Sequence, residues 1–527
     1  MWVWWIACGG GEAKVDADRG PDDADADTDA DTDADADADA DTDADTDTDT
    51  GTPPDPCGTA AGGVTALRVS TPYGLHEARL EVDTSVAATV AVACVLDGDP
   101  DEVHLIESAT AATAHAFDLA GLLAGADYTC TATTVCPAAP DRVTAALATP
   151  APTDRVPDLE VTVDVAGRGD EYLLTNRTQG CIARSHTALV YDRHGRPRFR
   201  YDIPLAVGPS IEFRHLGGTE LSWGGGWLPH VQGRPRIIDL FQGEIYDSGP
   251  GFTDLADSVF HHDGYVMPDG RVLTLEQERV RTGGVPFDGF RVRRLDPATN
   301  TVDFDYSSQR AYDEGHLEGG WGDVWHANAV QIAEVNGQEV LYVSLCFAQQ
   351  IVAIDVPSGD WRWAFGRGGD FDVVDPSGAP VTRDAFPRCQ HGPETDGTTF
   401  LVYDNGEGRD FSRVTEYTID EANRTATLNW AWTEPDWYET TMGDVEYLPS
   451  GHVLVSMAHG ECFSSNRGDR STFVEIDPAT GDKLWDARYP DRDDLAYRGD
   501  WADACGLFAN AKYCDSVRTR LAELSLP

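Results

Sequence analysis

Lysine is nearly missing from this chain: Lys14, Lys483 and Lys512 are all there is in 527 residues. Basic residues of both kinds number 39 against 91 acidic ones, a formal charge of −52. That shortage excludes nucleic acid and anionic membrane surfaces as partners, since their phosphates would be repelled over most of the protein. There is no run of 18 apolar residues, so no helix is expected to span a bilayer. No Cys-x-x-Cys pair occurs among the 11 cysteines, which argues against zinc. The length is enough for more than one domain. Abundant glycine (52) and short alternating apolar runs point to β-rich structure.

The charge is unevenly spread. Residues 12–55 hold Glu12 and 18 Asp against Lys14 and Arg19, a net −17, which leaves −35 for the rest. Asp alternates with Ala or Thr from Asp23 to Thr50, with nothing to bury, so this stretch reads as a disordered, extended tether. A calcium loop is the alternative, but its Gly and terminal Glu are absent. The opening Ile6-Ala7-Cys8-Gly9 is similar to the end of a lipoprotein signal, although no basic residue precedes it. The expected organisation is a truncated signal over 1–8, a tether over 9–56, a small β-sandwich over 57–152 and a repeat domain over 153–527. The expected setting is the bacterial cell envelope, as an outer-membrane lipoprotein or a periplasmic or secreted protein, touching membrane only through a lipid.

The sandwich is read from strands at Ala66–Val69, Ala78–Val82, Ala88–Val95 and Tyr128–Val135. Tyr128 stands two residues before Cys130, as in a tyrosine corner, with Cys94 on an earlier strand. The Leu122-x-Ala124-Gly125-x-x-Tyr128 stretch resembles fibronectin type III modules.

Beyond residue 155 a unit recurs: a tight Pro-x-Gly-x-x-Leu turn (Pro268 to Leu273, Pro449 to Leu454), then an apolar strand ending in Asp, a turn and an aromatic strand. The turn aspartates Asp192, Asp239, Asp296, Asp355, Asp420 and Asp477 are 47, 57, 59, 65 and 57 residues apart. Six such units of four strands describe an all-β, six-bladed β-propeller. The first two units are weakly patterned, which leaves five or seven blades open. Tryptophans 361, 363, 430, 432 and 485 suit packing between blades.

Three histidines share a phase within these units. His262, His326 and His391 are 64 and 65 residues apart, one blade each, near the strand that lines a propeller's axis. Converging imidazoles suit two chemistries: a nucleophile with a neighbouring proton carrier, or a transition-metal site. No fourth ligand falls in phase, since the last unit reads Met442-Gly443-Asp444 there and His459 follows one strand later. A metal is therefore not expected, nor is a cofactor.

His261-His262-Asp263 with Pro268-Asp269-Gly270, Asp323-x-x-His326-x-Asn328, Gln390-His391, Asp404-Asn405-Gly406 and Ala496-Tyr497-Arg498 occur in an order that resembles the bacterial arylsulfate sulfotransferases. The resemblance spans about 155–515. It implies sulfuryl transfer from an aryl sulfate to a phenol, both small molecules, without a nucleotide or other cofactor. By the same resemblance His391 is the nucleophile. His262 and His326 steady the sulfuryl oxygens and handle the phenol proton, while Asn328 adds a hydrogen bond. Tyr497 belongs to the substrate side. The family's Ser-x-Arg reads Ser344-Leu345-Cys346 here, so the cation that grips sulfate is missing; Arg388 or Arg409 is the candidate substitute. The rival reading is a non-catalytic surface propeller that binds a ligand or protein. Expected disulfides are Cys94–Cys130, Cys505–Cys514 and Cys389–Cys462, with a nucleophilic Cys389 or Cys346 as the alternative for those two.

Overall fold

The computed structural model describes residues 62–135, 142–152, 156–165, 171–179, 186–203, 212–224, 235–247, 259–299, 301–458 and 470–527. The signal-like opening, the tether, His459 and Cys462 lie outside them. The described residues form one compact unit. Regular structure in it is almost entirely strand, as the composition implies, with three short helices at Ser308–Asp313, Ala504–Phe508 and Asp515–Leu524.

Two sheets occupy the first part. Val64–Ser70, Ala78–Ala88 and Ala112–Leu119 make one; Asp99–Glu107, Val90–Leu96, Asp127–Thr134 and Val143–Ala148 make the other. Leu80, Val82 and Phe117 of the first pack against Val92, Tyr128 and Leu147 of the second in a shared core. The Tyr128 hydroxyl accepts a hydrogen bond from the Leu123 amide at 2.8 Å, closing the corner anticipated from the sequence. Cys94 and Cys130 are directly opposed on neighbouring strands of one sheet and are disulfide-bonded. The strands 99–107, 112–119 and 143–148 had no clear sequence signal, because Ala, Thr and Asp dilute their apolar alternation.

Six further sheets follow, each of four strands or more and antiparallel except where Asp372–Val374 pairs in parallel with Thr425–Trp432 of the fifth. The third, for example, runs Val259–Val266, Val272–Val280, Phe287–Asp296, Thr301–Ser307. The turn aspartates fall at one place in all six, at the end of the third strand counted from the innermost or one residue beyond it. Their chemistry explains the placement. A carboxylate can accept from backbone amides two and three residues ahead and so close the turn. Asp239 accepts from the amides of Phe241 and Gln242, Asp296 from those of Ala298 and Thr299, and Asp477 from that of Ala479. Trp363 and Trp485 are buried in the packing between sheets.

The innermost strands neighbour one another in sequence order. Glu212–Gly217 lies beside Val259–Val266, which lies beside Ala327–Val335, then His391–Thr395, then Asp444–Tyr447, then Gly499–Asp503, which returns to Glu212–Gly217. The first and last sheets are each completed from the other end of the domain. Gly499–Asp503 pairs with Glu171–Gln179 of the first sheet, and Glu160–Asp164 pairs with Lys483–Arg488 of the last.

A buried ionic cluster joins the two-sheet region to the first of the six sheets. Arg198, fully buried, donates to Glu102 at 2.5 and 3.0 Å and to Asp192 at 2.9 and 2.7 Å. Asn510 adds a bond to Glu102 at 2.7 Å. The helix Asp515–Leu524 packs through Leu521 on Ala93 and Leu105 of the two-sheet region. Among the described residues no helix is long and apolar enough to cross a membrane.

Candidate functional site

The three in-phase histidines do converge in space. His262 lies on the innermost strand of the third sheet, His326 one residue before that of the fourth, and His391 begins that of the fifth. His262 and His326 have φ of 60° and 50°, in the left-handed region that non-glycine residues seldom occupy. The rings of His262 and His326 meet edge to face with centroids 4.6 Å apart. His391 lies deeper than His326 and is fully buried. Gly392 follows it at φ 43°, and a Cβ there would stand 1.7 Å from Asp444 Oδ1, so only glycine fits.

Hydrogen bonds set the state of each ring. The Asn405 amide nitrogen donates to the carbonyls of Glu439 and Met442 at 2.9 and 2.7 Å, which turns Asn405 Oδ1 toward His391 Nδ1 at 2.8 Å. Nδ1 therefore carries the proton and Nε2 carries the lone pair. Nε2 has no hydrogen-bond partner among the described residues. Burial pushes the His391 pKa down to about 3, against a partial opposing effect from Asn405, and the His326 and Arg498 charges lower it further. His326 is arranged differently: Asp323 stands 2.6 Å from its Nδ1 and accepts from its amide at 3.0 Å. Its Nε2 is the nitrogen left for proton exchange.

These shifts give a prediction. The unfolded chain protonates this imidazole below about pH 6.5 and the folded one only near 3, so this group's stabilisation is complete above 6.5 and is lost as pH falls toward 3. In nitrogen-detected NMR, His391 is expected to keep a neutral Nδ1–H tautomer from pH 8 to pH 5. A titration midpoint near the ordinary 6.5 would contradict the buried placement.

The other residues singled out from the sequence take varied positions. Asn328 is fully buried and donates to the Gln390 carbonyl at 2.8 Å, so it holds the strand carrying His391. Tyr497 is buried with its ring 6.2 Å from that of His391. Arg388 pairs with Asp384 at 3.1 Å, and Arg409 with Asp404 at 2.5 Å, so each already faces a carboxylate. Arg498 closes the Ala496-Tyr497-Arg498 motif. It is buried, donates to the Asn328 carbonyl at 2.9 Å, and stands 3.5 Å from Asp263. With Asp263, Gly392, Glu394 and Asp444 it lines a cavity of about 50 Å³ immediately behind the histidines. Burial raises the Glu394 and Glu446 carboxyls there. Among the described residues, no three His, Cys, Asp or Glu are placed to share a metal ion.

The expected Cys389–Cys462 bridge is corrected. Cys389 is bonded to Cys346, across the fourth and fifth sheets, and so neither is a free thiol nucleophile. Cys346, where the family Arg was expected, is thus consumed in fastening the segment that leads to His391. Cys505–Cys514 forms as anticipated. The three disulfides among the described residues are the kind of cross-link that persists in oxidising compartments outside the cytoplasm. A cavity of about 740 Å³ lies elsewhere, between Pro72–Glu77 and strands of the first two of the six sheets.

Comparison with known proteins decides the family. The profile of Arylsulfotransferase (ASST) matches residues 182–498, more than half of the chain and all of the segment bearing the histidines. The chain belongs to the arylsulfotransferase family. No curated protein matches it. Solved structures that are similar include a candidate 6-phosphogluconolactonase of Bacteroides fragilis (11% identity, 80% of this chain and 99% of that one, TM-score 0.34). The dihydro-heme d1 dehydrogenase NirN (10%, 80% and 76%, 0.31) and Sqt1 of Saccharomyces cerevisiae (9%, 68% and 79%, 0.32) are others. At such TM-scores the likeness supports no argument about this arylsulfotransferase. Asn405 and Asp323 set the ring states in it. Both belong to the Asp323-x-x-His326 and Asp404-Asn405-Gly406 motifs, and a polar residue at fixed spacing from each histidine marks them in the sequence.

Proposed function

We propose that the protein moves a sulfuryl group from an aryl sulfate ester to a phenol through a sulfohistidine on His391. The observation that carries this is the bare, buried Nε2 of a neutral imidazole whose other nitrogen is held by Asn405. Its lone pair attacks sulfur, the S–O bond to the aryl group breaks, and the phenolate leaves with that pair. Protonated His326 or His262 gives the leaving oxygen its proton. In the second half that imidazole takes the proton of the acceptor phenol, the phenol oxygen attacks sulfur, and the N–S bond breaks to restore Nε2. Protons balance over the cycle and no cofactor is consumed. Developing charge on the sulfuryl oxygens needs donors. The histidine N–H groups supply them, with Arg498 close enough to His391 to act on its charge. Full burial of His391 disfavours loss of the sulfuryl group to water.

The same reading treats the six sheets as blades of a six-bladed propeller whose axis runs behind the histidines, with a fibronectin III-like sandwich before it. Cys8 and the Asp-rich stretch enter it as a lipid anchor and spacer, on the sequence alone.

The test is incubation with 4-nitrophenyl sulfate and phenol. Nitrophenol release, parallel lines in a two-substrate kinetic plot, and a transient mass increase of one SO₃ group are expected. Absence of turnover across a panel of aryl sulfates would leave the non-catalytic binding propeller as the reading.

A further inference from the structure

Phe347 immediately follows Cys346, the position that lacks the family cation. It is a large apolar side chain left 47% exposed. Its ring lies almost parallel to that of His326, with centroids 4.5 Å apart and 22° between the planes. His326 in turn meets His262 edge to face, so Phe347 is the exposed end of a row of three rings that includes two of the site histidines. Exposure of this kind costs apolar hydration unless something covers the ring. The ring is also firmly mounted. The Phe347 amide donates to the Trp325 carbonyl at 3.1 Å, the Gln349 amide to the Cys346 carbonyl at 3.0 Å, and the preceding residue is disulfide-bonded to Cys389. A fixed, partly bare aromatic face beside the proton-carrying imidazole is a surface for another flat ring.

We infer that Phe347 is the platform on which the aryl group of the substrate stacks, and that it ranks aryl sulfates by ring area, fused bicyclic ones above single rings. The inference rests on the sulfuryl-transfer reading and refines its substrate class. Where a cation would grip the sulfate end of any ester, this site grips the ring end. Discrimination between donors then follows ring area rather than charge.

The experiment compares 2-naphthyl sulfate, 4-nitrophenyl sulfate and hexyl sulfate as donors with the wild type, Phe347→Ala, Phe347→Leu and Phe347→Tyr. Phe347→Ala is expected to raise KM for the naphthyl ester about tenfold, the size of one aromatic pair, with kcat within about twofold. The nitrophenyl ester should lose less, and Phe347→Tyr should behave as wild type. Phe347→Leu, which keeps bulk without a π face, should resemble Phe347→Ala. A fall in kcat alone, equal for all three donors, would mean that Phe347 only steadies His326 and would overturn the platform. Equilibrium dialysis of 2-naphthyl sulfate with His391→Asn, alone and with Phe347→Ala, separates the two levels. Binding lost with Phe347 supports the platform even if no turnover is ever seen. Turnover with binding indifferent to Phe347 leaves the sulfuryl reading standing and removes the platform.

Discussion

His391→Asn is expected to lower kcat for aryl-sulfate turnover by roughly 10⁴- to 10⁶-fold, the range seen when a covalent nucleophile is removed. The substitution is chosen for what it keeps. An asparagine amide can still face Asn405, the neighbour that holds Nδ1 at 2.8 Å, so the local fold has a substitute for that contact. What disappears is Nε2, the buried nitrogen with no partner among the described residues. Circular dichroism and the urea midpoint should therefore stay near wild type while the SO₃ adduct vanishes from the intact mass. Replacing His326 or His262 by Gln should cost less, about 10² to 10⁴, since proton handling and donor contacts are lost but the nucleophile remains. The adduct should then persist or accumulate. Survival of the adduct in His391→Asn would place the nucleophile elsewhere and sink the assignment.

Arg198→Leu is expected to destabilise the protein by about 3–5 kcal/mol, the cost of stranding buried charge. Arg198 is fully buried and serves two carboxylates at once, Glu102 in the two-sheet region and Asp192 in the first of the six sheets. Burial alone would raise both acids. His104 and Arg198 hold Glu102 well below the usual carboxylate range, and Arg198 with Arg196 lowers Asp192. A carboxyl depressed in the folded state contributes stability that is complete above its unfolded pKa and is lost as pH falls through the folded value. The wild type should thus keep this contribution at mildly acidic pH. The variant, in which burial unopposed by the guanidinium raises both acids, should be least stable at pH 7 and recover part of the loss toward pH 5 as the stranded carboxyls take up protons. Urea unfolding followed by tryptophan fluorescence at both pH values reads the difference. Arg68→Leu is the control, because its pairs with Glu81 and Asp83 are exposed; its midpoint should not move. Equal small shifts in the two variants would show that the buried cluster is not what joins the two regions.

Much of this architecture could be read in the sequence because turn chemistry is local. An aspartate closing a strand turn leaves a mark at a fixed place in each unit, and six such marks predicted six sheets. The phase of His262, His326 and His391 was legible for the same reason. Contacts set by the third dimension were not. The partner of Cys389 is chosen by which strand end lies across the sheet boundary, so Cys346, 43 residues away, was no more evident than Cys462. Asn328 was expected to add a hydrogen bond at the site, and that its amide nitrogen reaches the Gln390 carbonyl was not legible, because the direction of a side chain depends on the neighbouring sheet. Arg388 and Arg409 looked available until their carboxylates, Asp384 and Asp404, were seen beside them. Phe347 carried no sequence signal at all, since one phenylalanine after a cysteine resembles core.

The strand Gly499–Asp503, which completes the first sheet, follows directly on Tyr497 and Arg498. The residue beside His391 and the guanidinium behind it therefore arrive with one of the last strands of the domain to be synthesised. A nascent chain or a truncated product can hold all three histidines and still lack the back wall of the site. Completion of the site is in this way a late event, reached only once the domain has joined its two ends.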